Sequence, residues 1–144
     1  SDFIKLDTAE GEKIALRSYG SISYAGMLSF IYAEMDRDDP RLVAVMDWIS
    51  KNYTLEENPG MDAQGLYYYY HTMGKALATA GMQHLVTPDG EKIDWKNDLA
   101  LKVMGTQQPD GRWINETSNR WMEDDPALVT AYSLLTLQHV YRNL

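Results

Sequence analysis

The stretch Gln107-Gln108-Pro109-Asp110-Gly111-Arg112-Trp113 decides how this chain is to be read. It closes an amphipathic run that opens at Trp95, behind a capping Asp94. Within that run Trp95, Leu99 and Val103 recur at i, i+4 and i+8, which is one face of a helix over 95–107. Asp110-Gly111 is turn chemistry, because Asp bonds its own backbone and Gly accepts positive φ. A polar loop, residues 108–125, follows. It ends in Glu123-Asp124-Asp125-Pro126, an N-cap carboxylate followed by a ring already at helical φ. The helix this starts, over 126–142, is apolar around most of its circumference: Leu128, Val129, Ala131, Leu134, Leu135, Leu137 and Val140.

Upstream, the same two kinds of helix alternate. Residues 21–35 are apolar almost all the way round, from Tyr24 to Ala33, and read as buried on more than one side. Asp39-Pro40 repeats the helix-start pair. The helix over 40–52 is one-sided, with Leu42, Val45, Met46 and Ile49 on one face and Arg41, Asp47, Ser50 and Lys51 largely on the other. Asn58-Pro59-Gly60 breaks the chain. A helix over 64–80 carries the stripe Leu66, Tyr69, Tyr70, Met73 and Leu77, with Gly81 as its stop. Thr87-Pro88-Asp89-Gly90-Glu91 predicts a small hairpin at 85–93. The opening, residues 1–20, has weak periodicity. Ile14-Ala15-Leu16 there reads either as a short strand or as a segment lying across the core.

Alternation of buried and one-sided helices implies two layers. About five main helices in pairs of roughly 45 residues give an all-α helical-hairpin repeat. The whole chain, 1–144, reads as one domain. It begins at Ser1 without an initiator Met, and is expected to be a segment of a longer protein. An incomplete array exposes apolar faces, so either the remainder of that parent or self-association is expected to cover them.

Composition removes several classes of function. The 144 residues carry a net charge of -8 with the acids spread along the chain, which repels nucleic-acid phosphates. No apolar run reaches the ~20 residues of a transmembrane helix. With no cysteine there is neither disulfide nor thiolate metal site. His71, His84 and His139 lack any metal-ligand spacing, so no metal and no cofactor are expected.

The Gln107–Trp113 stretch matches the Q-x-x-D-G-x-W core of the repeat in squalene–hopene cyclases and prenyltransferases, although upstream only Val103 meets the fuller motif. Tyr19-Gly20-Ser21, Asp38-Asp39-Pro40-Arg41 and Asp125-Pro126 also lead into helices as that family's repeats do. The chain therefore resembles the squalene cyclase family over residues 18–142. The resemblance implies part of an (α/α) toroid and a terpenoid-cyclase-like domain that binds or processes a polyisoprenoid.

The family's D-x-D-D acid is matched in letters by Asp36-Arg37-Asp38-Asp39, but Pro40 and Arg41 follow it and it precedes an outer helix. An acid that protonates an alkene must stay neutral in a dry cavity, and a solvated loop beside Arg37 does the opposite. Capping is the reading for these residues. No DDxxD is present, and the zinc site of protein prenyltransferases needs a cysteine. Catalytic residues are thus unassigned. A non-catalytic ligand-binding module or a protein-interaction scaffold stands as the alternative.

Candidate ligand residues come from Gly65-Leu66-Tyr67-Tyr68-Tyr69-Tyr70-His71-Thr72. Four consecutive tyrosines wrap more than one helical turn and cannot all face the core. Tyr68, His71, Thr72 and Lys75 share one polar face. Either that face is an aromatic, His-bearing wall for an apolar or cyclic ligand, or the tyrosines pack between helices with hydroxyls on loop backbone. Arg120 and Trp121, with Trp113, are candidates for the opposite rim, flanked by Tyr24 and Tyr132. Against this, Arg120 has Asp124 and Asp125 as ready ion partners, and Trp113 suits a purely structural turn.

Overall fold

A computed structural model describes residues 3–9 and 11–144. Its five α-helices are α1 (Gly20–Tyr32), α2 (Pro40–Asn52), α3 (Leu66–Thr79), α4 (Trp95–Gly105) and α5 (Pro126–Tyr141). Two antiparallel hairpins accompany them. β1 (Phe3–Thr8) pairs with β2 (Gly11–Leu16), from Phe3 opposite Leu16 to Thr8 opposite Gly11. β3 (Leu85–Val86) pairs with β4 (Lys92–Ile93), the small hairpin expected at 85–93. The chain is therefore predominantly helical rather than purely α. Ile14-Ala15-Leu16 take the strand alternative, and Leu16 is exposed.

α3 packs between α1 and α5, α2 lies against α1, and α4 lies against α5. Ser50 Oγ at the end of α2 donates to Val86 O of β3 (2.6 Å), and Lys102 of α4 pairs with Glu56 in the loop after α2 (2.8 Å). α2, the second hairpin and α4 thus lie along one side of the α1–α3–α5 group. The core between them holds Tyr24, Ile49, Tyr69, Met73, Leu77, Trp95, Leu99, Val103, Trp113 and Val129.

Burial follows from contact with small residues more than from hydrophobicity. α5 turns Val129, Ser133, Thr136 and Val140 inward, while Leu134 and Leu135 stay exposed. Gly74 explains this choice, because a Cβ there would lie 3.3 Å from Leu99 Cδ2 and 3.8 Å from Thr136 Cγ2. Large side chains cannot enter a helix contact that close, so the leucines are left outside. Ser133 and Thr136 satisfy their hydroxyls on the carbonyls of Val129 and Tyr132, four residues back.

The Asp-Gly turn forms as its residues require. Gly111 N–H donates to Gln108 O (2.8 Å) with Gly111 at φ 89°, and Gln107 Nε2 donates to Gly111 O (2.8 Å). Trp113 then hooks back onto α4, its Nε1 donating to Val103 O (2.7 Å). It is buried and takes no part in a rim.

Candidate functional site

Helix starts divide into two groups. α2, α4 and α5 cap themselves: Asp39, Asp94 and Asp125 accept from the amides of Arg41, Asn97 and Ala127. α1 and α3 have Tyr19 and Gly65 at the capping position and make no such bond. Their free amides are met from far along the chain. Asn58, wholly buried between α2 and α3, accepts from Ser21 N through Oδ1 (3.0 Å) and donates to Ser21 Oγ (3.2 Å) and Gln64 O (3.0 Å). Glu123, equally buried between α4 and α5, accepts from Tyr67 N (3.3 Å), Tyr68 N (2.9 Å) and Asn115 Nδ2 (2.8 Å). A carboxylate there also complements the positive end of α3.

This clamp brings the 106–125 loop against the start of α3. Asn115 Nδ2 reaches Ala63 O (2.7 Å) and Arg120 Nη1 reaches Gln64 Oε1 (2.8 Å). Trp121 and Met122, at φ 55° and 64°, take a left-handed backbone that bulky residues adopt only when their surroundings hold them in it. Trp121 is pressed onto Gly65, where a Cβ would lie 2.8 Å from the indole ring. The strain aims the indole across the open end of α1, α3 and α5.

The result is a cleft of about 340 Å³ walled by Tyr19, Tyr68, Trp121 and Tyr132, with Ile22 and Ala25 of α1 along one side. Tyr68 and Tyr132 meet with ring centroids 5.6 Å apart. Arg120 lies over the Trp121 ring at 4.6 Å rather than beside Asp124 or Asp125. Tyr68, Trp121 and Tyr132 therefore converge on one cleft, and Arg120 backs its indole wall.

His71 is one step removed. Its ring stacks on Tyr132 at 5.8 Å and an 18° tilt, and touches His139 at 5.4 Å. His71 Nδ1 and His139 Nε2 are buried without a hydrogen-bond partner. Burial, then the neighbouring His139 and Lys75, push the His71 imidazole down to about 4. His139 is lowered by burial, then Lys75 and Arg142.

Tyr24 is not at the cleft. It lies in the core against Tyr69 (5.8 Å), and burial raises its phenol well above the ordinary value. Of the four consecutive tyrosines, Tyr67, Tyr69 and Tyr70 are buried and only Tyr68, 39% exposed, is presented outward. Tyr69 and Tyr70 donate their hydroxyls to Thr54 O (2.8 Å) and Leu55 O (2.5 Å), so the loop-backbone packing role holds for these two. Thr72 is buried too, bonded to the carbonyls of Tyr68 and Tyr69.

The sequence reading missed Tyr19, Ile22, Ala25 and Glu123. Ile22 and Ala25 stand three apart on α1, a spacing that was visible. Nothing local marks Glu123, whose partners on α3 are 55 and 56 residues away.

Asp39 of the Asp36–Asp39 string is held at about 2, chiefly by its hydrogen bonds to Arg41, and serves as the α2 cap. Among the described residues no group of three or more His, Asp or Glu side chains is placed to hold a metal ion. No helix among them is long and apolar enough to cross a membrane. No protein-family model, curated protein or solved structure matches the chain.

Proposed function

We propose that this chain is a ligand-binding helical-repeat domain, a section of an (α/α) toroid of the squalene cyclase and prenyltransferase kind. Its cleft would hold an apolar or cyclic molecule such as a polyisoprenoid, without transforming it. One observation carries the reading: Tyr68, Trp121 and Tyr132, from α3, the 106–125 loop and α5, converge on one 340 Å³ cleft. That volume lies within the range of small-molecule sites, and strained backbone spent on placing an aromatic wall is typical of binding sites. The helix order supports the toroid, since α1, α3 and α5 form one layer with α2 and α4 behind it.

The state of two acids favours binding over chemistry in this reading. Asp39 is ionised and paired with Arg41, the reverse of what alkene protonation demands. The Glu123 oxygens are occupied by three N–H donors. Native mass spectrometry with farnesol and with maltohexaose tests the proposal. The expected result is a one-to-one farnesol complex, lost in Tyr68→Ala, and no oligosaccharide complex. Capture of the oligosaccharide alone would replace the apolar ligand by a sugar.

A second reading, a protein-interaction scaffold, draws on the exposed Ile22, Tyr32, Leu134 and Leu135 of α1 and α5. A chain that binds neither probe supports it.

A further inference from the structure

A second cleft, of about 480 Å³, lies beside the first and shares its Tyr19, Ile22 and Trp121 wall. Its chemistry is different. Arg17 and Arg120 both line it, next to Met61, and among the described residues no carboxylate does. In a chain with 21 acidic and 13 basic side chains, two guanidinium groups in one concave site without an acid stand out against the composition. Asp62, Glu116 and Asp124 border Arg120 only on its other flank, in a separate polar groove, and none forms an ion pair with it.

Both arginines are held in place by the same loop. Arg17 Nη2 donates to Gly60 O and touches Met61 Sδ (4.0 Å), while Arg120 Nη1 donates to Gln64 Oε1 (2.8 Å) and its plane rests on Trp121 at 4.6 Å. A guanidinium has five N–H donors in a rigid fork that fits carboxylate and phosphate oxygens. The anchors on Gly60 and Gln64 use one nitrogen of each fork. Restraining the side chains beforehand lowers the ordering cost of binding.

The geometry points to a ligand with two ends: an anionic amphiphile, its hydrocarbon in the Tyr68–Trp121–Tyr132 cleft and its carboxylate or phosphate head between Arg17 and Arg120. Trp121 is the partition over which such a molecule passes. This rests on the cleft being a ligand site, and adds that the ligand is charged. The overall charge of -8 repels anions, so any preference for one must come from this local pair.

Titration calorimetry on the full chain with farnesol, farnesoate and farnesyl monophosphate, below their micellar concentrations and at about 150 mM salt, tests it. All three share one hydrocarbon. At least one anion is expected to bind about tenfold tighter than farnesol, and whichever is tighter identifies the head group. Arg17→Gln, at an exposed position outside the apolar cleft, should cut that preference at least severalfold while farnesol affinity stays within about twofold, because the hydrocarbon contacts remain. Should Arg17→Gln lose its helical circular dichroism, Arg17→Lys, which keeps the charge but not the planar fork, should narrow the anion preference without changing farnesol affinity. Equal binding of all three molecules, or a preference that survives the substitution, overturns the inference and leaves the cleft as an apolar site. Binding of none overturns both.

Discussion

The loops before α3 and before α5 (residues 53–65 and 106–125) perform the same task one layer apart, and their difference shows where the site comes from. Each reaches back to the uncapped start of the preceding helix of the α1–α3–α5 layer, through Asn58 to α1 and through Glu123 to α3. The first loop uses a neutral amide and supplies acceptors to its neighbours, but brings no side chain of its own to the 340 Å³ cleft. The second uses a carboxylate, fastens itself to the first loop at Ala63 and Gln64, and carries Trp121 to the cleft wall with Arg120 stacked behind it. A capping contact thus became the foundation of an aromatic cleft wall, because the clamp that satisfies two amides also holds a strained indole in place.

The comparison breaks most visibly at Glu123. Glu123→Ala removes the acceptor of three donors in a fully buried site and is expected to cost roughly 3–4 kcal/mol in urea denaturation. Asn58→Ala should cost less, about 2–3 kcal/mol, since no charged acceptor is lost. If the two costs coincide, the charge at Glu123 is immaterial. If Asn58→Ala costs more, the second loop is not the stronger clamp. Only Glu123→Ala should also abolish farnesol binding.

The self-caps sharpen the contrast from below. Asp125→Ala leaves one amide of α5 to water at an accessible helix start and should cost about 1 kcal/mol by the same measurement. A loss equal to that of Glu123→Ala would show that capping from a distance carries no special weight.

The smallest effect expected is a pH dependence at the other end of the cleft wall. His71 is held at about 4 in the folded protein by burial, His139 and Lys75, below the unfolded imidazole value of 6.5. The unfolded chain therefore binds more protons between those two values. Stability is complete above about 6.5 and falls as the pH drops through that window. Burial sets the direction, and Lys75 from α3, Tyr132 from α5 and Arg142 just past the end of α5 surround the His71–His139 pair. Asp39 acts only lower, as the pH falls from the ordinary carboxyl value of 3.8 to about 2. His71→Gln should flatten the urea midpoint between pH 6.5 and 4, and an unchanged slope would remove His71 as its source.

How much of this was legible depended on distance along the chain. The helix starts at Asp39, Asp94 and Asp125 were readable because a capping oxygen and its amide lie two or three residues apart. The Asp110-Gly111 turn and the 85–93 hairpin were readable for the same reason. The apolar circumference of α5 misled, since Ser133 and Thr136 face inward, Thr136 against Gly74, while Leu134 and Leu135 stay exposed. Tyr24 stood out as an aromatic on a flanking helix, yet the closeness of Tyr69 placed it in the core.

By itself the sequence determined the five helices, most of their boundaries and the rule that not all four tyrosines could be buried. Only the tertiary structure decided that Tyr68 is the one left outside. It also decided that Asn58 and Glu123 cap helices 37 and 55 residues away, and that Arg17 shares a cleft with Arg120. The reason is physical. Local hydrogen bonds and helical period are set by neighbours a few residues apart, whereas a buried carboxylate finds its amides only once the layers have packed.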